Sequence, residues 1–162
     1  MKLEGLAAEL YDEIAQIPVV DCHEHLPTEK ERIEKPTDVT HLFKHYCLAD
    51  LNAAGLDMGR DPGRWRSLPL FDASQPLMPR WAQMKPAFEA IRHGSYAYPA
   101  LAYVRDVLGI PDIRDDTVEE ISRRMQAEMR PGLYRRLMVE RCGIRRAIQC
   151  TEGVVAGDQD FF

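Results

Sequence analysis

Asp21-Cys22-His23-Glu24-His25 is the stretch of this sequence best suited to chemistry. In an extended strand successive side chains point to opposite faces, so Asp21, His23 and His25 share one face. Two imidazoles at that spacing can ligate a single metal ion, and a carboxylate beside them can orient a ring or complete the ligand shell. Asp21 takes the orienting role. Cys22 and Glu24 face the other way, as packing or supporting groups. The residues before the motif, Ile17-Pro18-Val19-Val20, are apolar and rich in β-branched side chains, with Pro18 at the entrance. They read as a strand buried on both faces. The motif then falls at the C-terminal end of that strand, where parallel sheets and barrels build their sites.

Other residues compete for a role. His41 and His45 are spaced for one face of a helix, but no Glu follows His41, so the H-E-x-x-H pattern of zinc proteases is missing. His41 reads as a solvated surface position. Lys85, Arg92 and Tyr96 are suited to bind a substrate carboxylate, Arg through its fixed fork of donors; salt bridges and helix packing are the competing use of the same side chains. Trp65 and Trp81 read as packing residues. Cys22, Cys47, Cys142 and Cys150 form no C-x-x-C pair, so all four are expected reduced and structural. Phosphate-binding, dinucleotide-binding and nucleophile-elbow glycine motifs are all missing.

The elements that must position these groups follow from periodicity. Leu3, Leu6, Ala7, Leu10, Tyr11 and Ile14 make one apolar stripe of a first helix. A loop is expected from Leu26 to Lys35, then a helix capped by Thr37-Asp38, through Leu42, Phe43 and Tyr46 and ending near Gly55. Residues 56–79, dense in Gly and Pro, read as irregular but packed through Trp65, Leu68, Leu70 and Phe71. Further helices are expected over 80–92, interrupted at Pro86, and over 97–108, stopped by Gly109. Asp116 with Glu119 forms a capping arrangement for a helix whose inner face is Val118, Ile121, Met125 and Met129. Pro131 opens a last helix through Leu133, Leu137 and Met138, ended by Gly143. Ile144 to Cys150 reads as a second buried strand. A stretch of about 115 residues between two strands, against about 30 for an ordinary crossover, implies a helical insertion after the first strand.

Composition sets the outer limits. With 45% hydrophobic and 29% charged residues among 162, the chain has the makings of a globular core. A formal charge of −5 disfavours phosphate backbones and anionic membranes. Eight arginines between Arg123 and Arg146 are interleaved with Glu128 and Glu140 and follow Glu119 and Glu120, as in solvated helices, so no nucleic-acid partner is expected. No membrane segment or export signal is seen, and unpaired thiols suit a reducing cytoplasm.

Val-Val-Asp-Cys-His-Glu-His resembles the first-strand motif of the amidohydrolase superfamily, metal-dependent enzymes on a distorted (β/α)8 TIM barrel. Several later stretches resemble the amidohydrolase-related, uronate-isomerase-like branch, which carries a helical insertion after strand 1. They are Leu42-Phe43-Lys44-His45-Tyr46, Asp50-Leu51, Ala54-Gly55, Trp81 to Lys85, Ile91 to Tyr96, Val104 to Gly109 and Pro131 to Tyr134. The resemblance implies an α/β chain divided into 1–26 (first helix and barrel strand 1), 27–142 (insertion) and 143–162 (strand 2 and its loop). It implies His23 and His25 as ligands of a divalent metal, with Zn2+ the expected ion, and places His45 toward the substrate. The implied activity is hydrolysis of a C–N, ester or lactone bond by metal-activated water. The substrate would be a small molecule, a carboxylate or sugar acid. An aldose–ketose isomerase is the alternative within enzymes, decarboxylation occurs on the same fold, and a non-catalytic interaction module is the alternative outside enzymes. The family's remaining ligands and catalytic acid lie on later strands, and a closed barrel needs about 200 residues. The chain is therefore expected to be an N-terminal fragment, inactive alone, with homo-oligomers an open alternative for the complete protein.

Overall fold

Two β-branched runs form the sheet: β1 (Val19–Glu24) and β2 (Ile144–Gln149) pair in parallel and make a two-stranded sheet. A computed structural model describes residues 3–150. Between and beside the strands lie α1 (Leu6–Ala15), α2 (Glu29–Glu34), α3 (Cys47–Ala53), α4 (Leu77–Ile91), α5 (Tyr98–Ala102) and α6 (Val118–Glu128). Shorter 3-10 turns cover Val39–Phe43, Pro62–Ser67 and Pro69–Phe71. Wider π-helical turns extend α5 over Tyr103–Val107 and recur at Arg135–Arg141 before β2. The chain is thus a mixed α/β protein, mostly helical, with a parallel strand pair. Among the described residues, no helix is long and apolar enough to cross a membrane.

The chain divides into two compact units, one of Lys35–Met129 and the other of the residues before and after it. Segments 27–34 and 130–142, expected in the insertion, thus fall in the unit of the strands. Glu29 explains part of this: its carboxylate accepts from the backbone N–H groups of Gly132 (2.7 Å) and Tyr134 (2.8 Å). The Tyr134 hydroxyl donates to the Pro27 carbonyl at 2.6 Å. These bonds also correct the expected loop at 26–35. Glu29 and Glu31 lie in the first turn of α2, where acidic side chains suit the helix dipole.

Within Lys35–Met129 the core is continuous. Phe43, Leu51, Trp81, Met84, Phe88, Val104, Ile113, Val118, Ile121 and Met125 are all closed off from solvent, so three of the four residues expected on the inner face of α6 pack inward, while Met129 is half-buried at its C-cap. One charged pair is buried with them: Arg80 Nη2 donates to Asp38 Oδ2 at 2.5 Å, and the same guanidinium reaches Thr40 Oγ1 and the carbonyls of Leu70, Gln75 and Pro76. Pro86 does not break α4, which continues from Leu77 to Ile91. Gly109 ends the next helix at φ 68°, a conformation that suits a residue without a Cβ.

Four local expectations are corrected. The helix expected from Thr37 to Gly55 is two pieces, Val39–Phe43 and α3, because His45 adopts φ 72° between them. Asp116 does not cap α6: Thr117 stands at the N-cap, and the Asp116 carboxylate pairs with Arg114 instead. β1 is not buried on both faces, since Val19 and Val20 are exposed, as is Ile148 of β2. Two strands alone offer no second layer to cover them. α1 keeps its apolar stripe but buries no residue. The loop expected at Thr151-Glu152-Gly153 lies outside the described residues.

Candidate metal centre

β1 and β2 do not run in simple alternation. Their register pairs Val19 with Ile144, Val20 with Arg146, Asp21 with Ala147 and Glu24 with Gln149, so β1 carries an extra residue between Asp21 and Glu24. Such a bulge re-aims side chains near a strand end. Here it leaves His23 and His25 exposed with their rings edge to face, centroids 4.8 Å apart. Nε2 of His23 lies 3.0 Å from Nε2 of His25. The two ring nitrogens converge on one point at the C-terminal end of the strand.

The groups around the rings are built from the same two strands. Asp21 Oδ1 accepts from the backbone N–H of His23 at 3.1 Å, so its hold on His23 runs through the main chain. A hydrogen bond from Glu24, with the His23 amide, keeps the Asp21 carboxyl below the ordinary carboxylate range. Burial, with that same bond and the charge of Asp21, pushes Glu24 up. Of the two carboxyls beside the imidazoles, Asp21 is therefore the more readily ionised. Glu24 Oε2 also accepts from the His25 amide at 3.3 Å. The alternation that would send Glu24 to the opposite face is undone by the bulge.

Cys150, just past β2, was not singled out as a site residue by sequence reasoning. Its Sγ lies 3.0 Å from Nδ1 of His23. The signal was present: parallel pairing of β1 and β2 sets the residue after β2 beside the end of β1, and the backbone N–H of Cys150 donates to the Glu24 carbonyl at 2.8 Å. The four cysteines form no disulfide among the described residues; Cys47 is buried, Cys150 half-buried, and Cys22 and Cys142 are exposed, so the structural role expected of all four has core packing behind it only at Cys47.

A metal ion would find two convergent imidazole nitrogens here. This donor chemistry fits zinc, which needs about four ligands. Among the described residues, no group of three or more His, Cys, Asp or Glu side chains is arranged around one ion position. The pair fits as part of a ligand shell.

The remaining candidates belong to Lys35–Met129. His45 stands edge-on to Tyr46 (4.2 Å between centroids), and Tyr46 stacks on Tyr96 at 5.4 Å. Cys47 Sγ donates to the Tyr96 carbonyl at 2.9 Å, which ties the start of α3 to the turn before α5. Burial and the charge of Asp50 raise the Cys47 thiol to about 11. Tyr46 is a second residue that sequence reasoning did not single out. Lys85 pairs with Asp115, which also accepts from the Trp81 indole at 2.8 Å. Arg92 spans Glu89 and Asp112 at 2.8 and 2.6 Å. The structure thus joins His45 to Tyr96, and engages Lys85 and Arg92 with neighbouring carboxylates. His41 is part-buried and completes a capping box with Asp38, which corrects its reading as a solvated position. No protein-family model, curated protein or solved structure matches the chain.

Proposed function

We infer that this chain carries the first two metal ligands of a metal-dependent hydrolase of the amidohydrolase-related type. The observation that carries the reading is the 3.0 Å approach of the His23 and His25 Nε2 atoms at the C-terminal end of a strand in a parallel pair. On this reading β1 and β2 are the first strands of a distorted (β/α)8 barrel, and Lys35–Met129 is the core of the insertion that follows strand 1. The substrate is a small molecule bearing a carboxylate or a sugar acid.

A divalent ion, zinc by donor type, supplies Lewis acidity and lowers the pKa of bound water toward about 7. The chain's own residues do the positioning. His23 and His25 present two imidazole nitrogens from a strand end. Asp21, anionic, fixes the backbone at His23 and adds negative charge that favours a cation nearby. The carboxylate that takes the water's proton belongs, on this reading, to a later strand of the barrel.

Calorimetric zinc titration tests the assignment. The expected result is one-to-one binding, weak because two imidazoles leave most of the ion's shell to water, and abolished in the double variant His23→Ala/His25→Ala. Unchanged zinc uptake in the double variant, with far-UV circular dichroism unaltered, overturns the ligand assignment.

A further inference from the structure

The unit that holds the strands is split by charge. Between Leu3 and Gln16 stand Glu4, Glu9, Asp12 and Glu13, with no Lys or Arg. Between Arg130 and Gln149 six arginines stand against one acidic residue, Glu140. Each half also holds apolar side chains in solvent. On α1, Leu6, Leu10, Tyr11 and Ile14 are exposed and no residue is buried. Glu9 and Glu13 follow Leu6 and Leu10 at a spacing of three, so a carboxylate borders the stripe on each turn. Among the described residues, Glu9, Asp12 and Glu13 have no ion-pair partner.

The basic half is built the same way with the opposite sign. Val139 and Ile148 are its exposed apolar residues. Arg135 lies one turn before Val139, and exposed Arg145 and Arg146 stand just before Ile148 on β2. Arg135 pairs with Glu140 at 3.2 Å, but both side chains are in solvent, where such a pair is weak and readily exchanged. An apolar stripe edged with carboxylates fits an apolar patch edged with guanidiniums. Either surface set against its own copy would bring like charges together. One chain carries both surfaces, so a two-fold pair satisfies both at once.

We propose that two copies of this chain associate about a two-fold axis, α1 of each laying its apolar stripe on the Val139 and Ile148 patch of the other, with Glu9 and Glu13 facing Arg135, Arg145 and Arg146. This pairing is independent of the metal-centre reading. Its strength follows from its size. A helix of ten residues is about 15 Å long and about 10 Å across, so two such contacts cover less than the roughly 800 Å² each partner gives to a stable dimer. The pair therefore fills in concentrated solution, and dilute protein is monomeric.

Sedimentation velocity of the full chain, at low-micromolar and near-millimolar concentration, tests the pairing. Wild type should be monomeric when dilute, dimeric when concentrated in low salt, and monomeric again at about 1 M salt, where charges are screened within about 3 Å. Glu9→Lys/Glu13→Lys and Arg135→Glu/Arg145→Glu should each dimerise at least about tenfold more weakly, since each sets like charges together. An equal mixture of these two variants should dimerise as wild type does, because exchanging both signs restores both contacts. A concentrated wild type that stays monomeric overturns the proposal. So does a wild-type dimer that either variant leaves intact, or a mixture that stays monomeric while far-UV circular dichroism shows both variants folded. Should a charge variant fold badly, Leu6→Gln/Leu10→Gln decides: it keeps every charge, and a dimer as strong as that of wild type places the contact away from α1.

Discussion

His45 holds a left-handed backbone, φ 72°, the one described non-glycine residue that does so. That conformation brings Cβ against the following carbonyl and costs about 1–2 kcal/mol for an L-residue. Strain of this kind persists where the surroundings impose it, and it collects at binding sites. Here the surroundings are visible: the edge-on Tyr46, the Tyr46–Tyr96 stack and the Cys47 bond to the Tyr96 carbonyl hold the chain that follows it. The backbone contribution can be isolated by comparing two truncations that both lose the imidazole. His45→Gly should be more stable than His45→Ala by about 1 kcal/mol, measured by urea denaturation at neutral pH. Equal stabilities, or a less stable glycine variant, would mean that the segment relaxes out of the left-handed region in solution.

At the scale of elements, the joint between the Val39–Phe43 turn and α4 is electrostatic. Burial works against charge on Asp38, but hydrogen bonds from His41, Arg80 and Thr40, with the charge of Arg80, hold its carboxyl far below the ordinary value. A carboxyl depressed in the folded state stabilises the fold above its unfolded pKa of about 3.9, and that stabilisation is lost as pH falls below it. Asp38→Asn leaves Arg80 buried without its charge partner and should cost about 3–5 kcal/mol at pH 6. The gap to wild type should shrink progressively between pH 4 and pH 2, where Asp38 of the unfolded chain takes up a proton while the folded carboxylate stays ionised. An equal gap at both ends of that range refutes the depressed carboxyl. The same joint shows what was legible beforehand. Asp38 as a cap, the α6 stripe and the two strands could be read from residue type and period alone. The break at His45, the α2 helix and the route of Pro86 through α4 could not, because tertiary partners decide each: Tyr46, the Gly132 and Tyr134 amides, and the packing of Met84, Ala87 and Phe88. At the candidate site, the histidine pair was legible from its spacing. The bulge that aims it, and the thiol on its far side, depend on the register between strands about 125 residues apart in sequence.

At the scale of the whole molecule, apolar burial is uneven. The closed core lies within Lys35–Met129, whereas α1 and the strands carry apolar side chains that stay largely exposed: Leu6 is 69% exposed, Ile14 64% and Val20 58%. The α1 residues repeat at helical spacing and form a stripe that burial would stabilise, yet none of them is buried. Apolar surface of this extent marks a face that binds or aggregates. It also makes a prediction that ordinary core residues would fail. The native protein should bind the dye ANS at neutral pH, where a closed domain does not. In Leu10→Lys/Ile14→Gln the dye fluorescence should fall markedly, because two of the six stripe residues become polar. Replacing two large core residues would lower stability by several kcal/mol. Here the melting midpoint should stay within about 2 °C of wild type, since exposed positions change stability by less than about 0.5 kcal/mol. A drop of ten degrees, with the dye signal unchanged, would show that α1 packs its stripe in solution and that the exposed face belongs elsewhere.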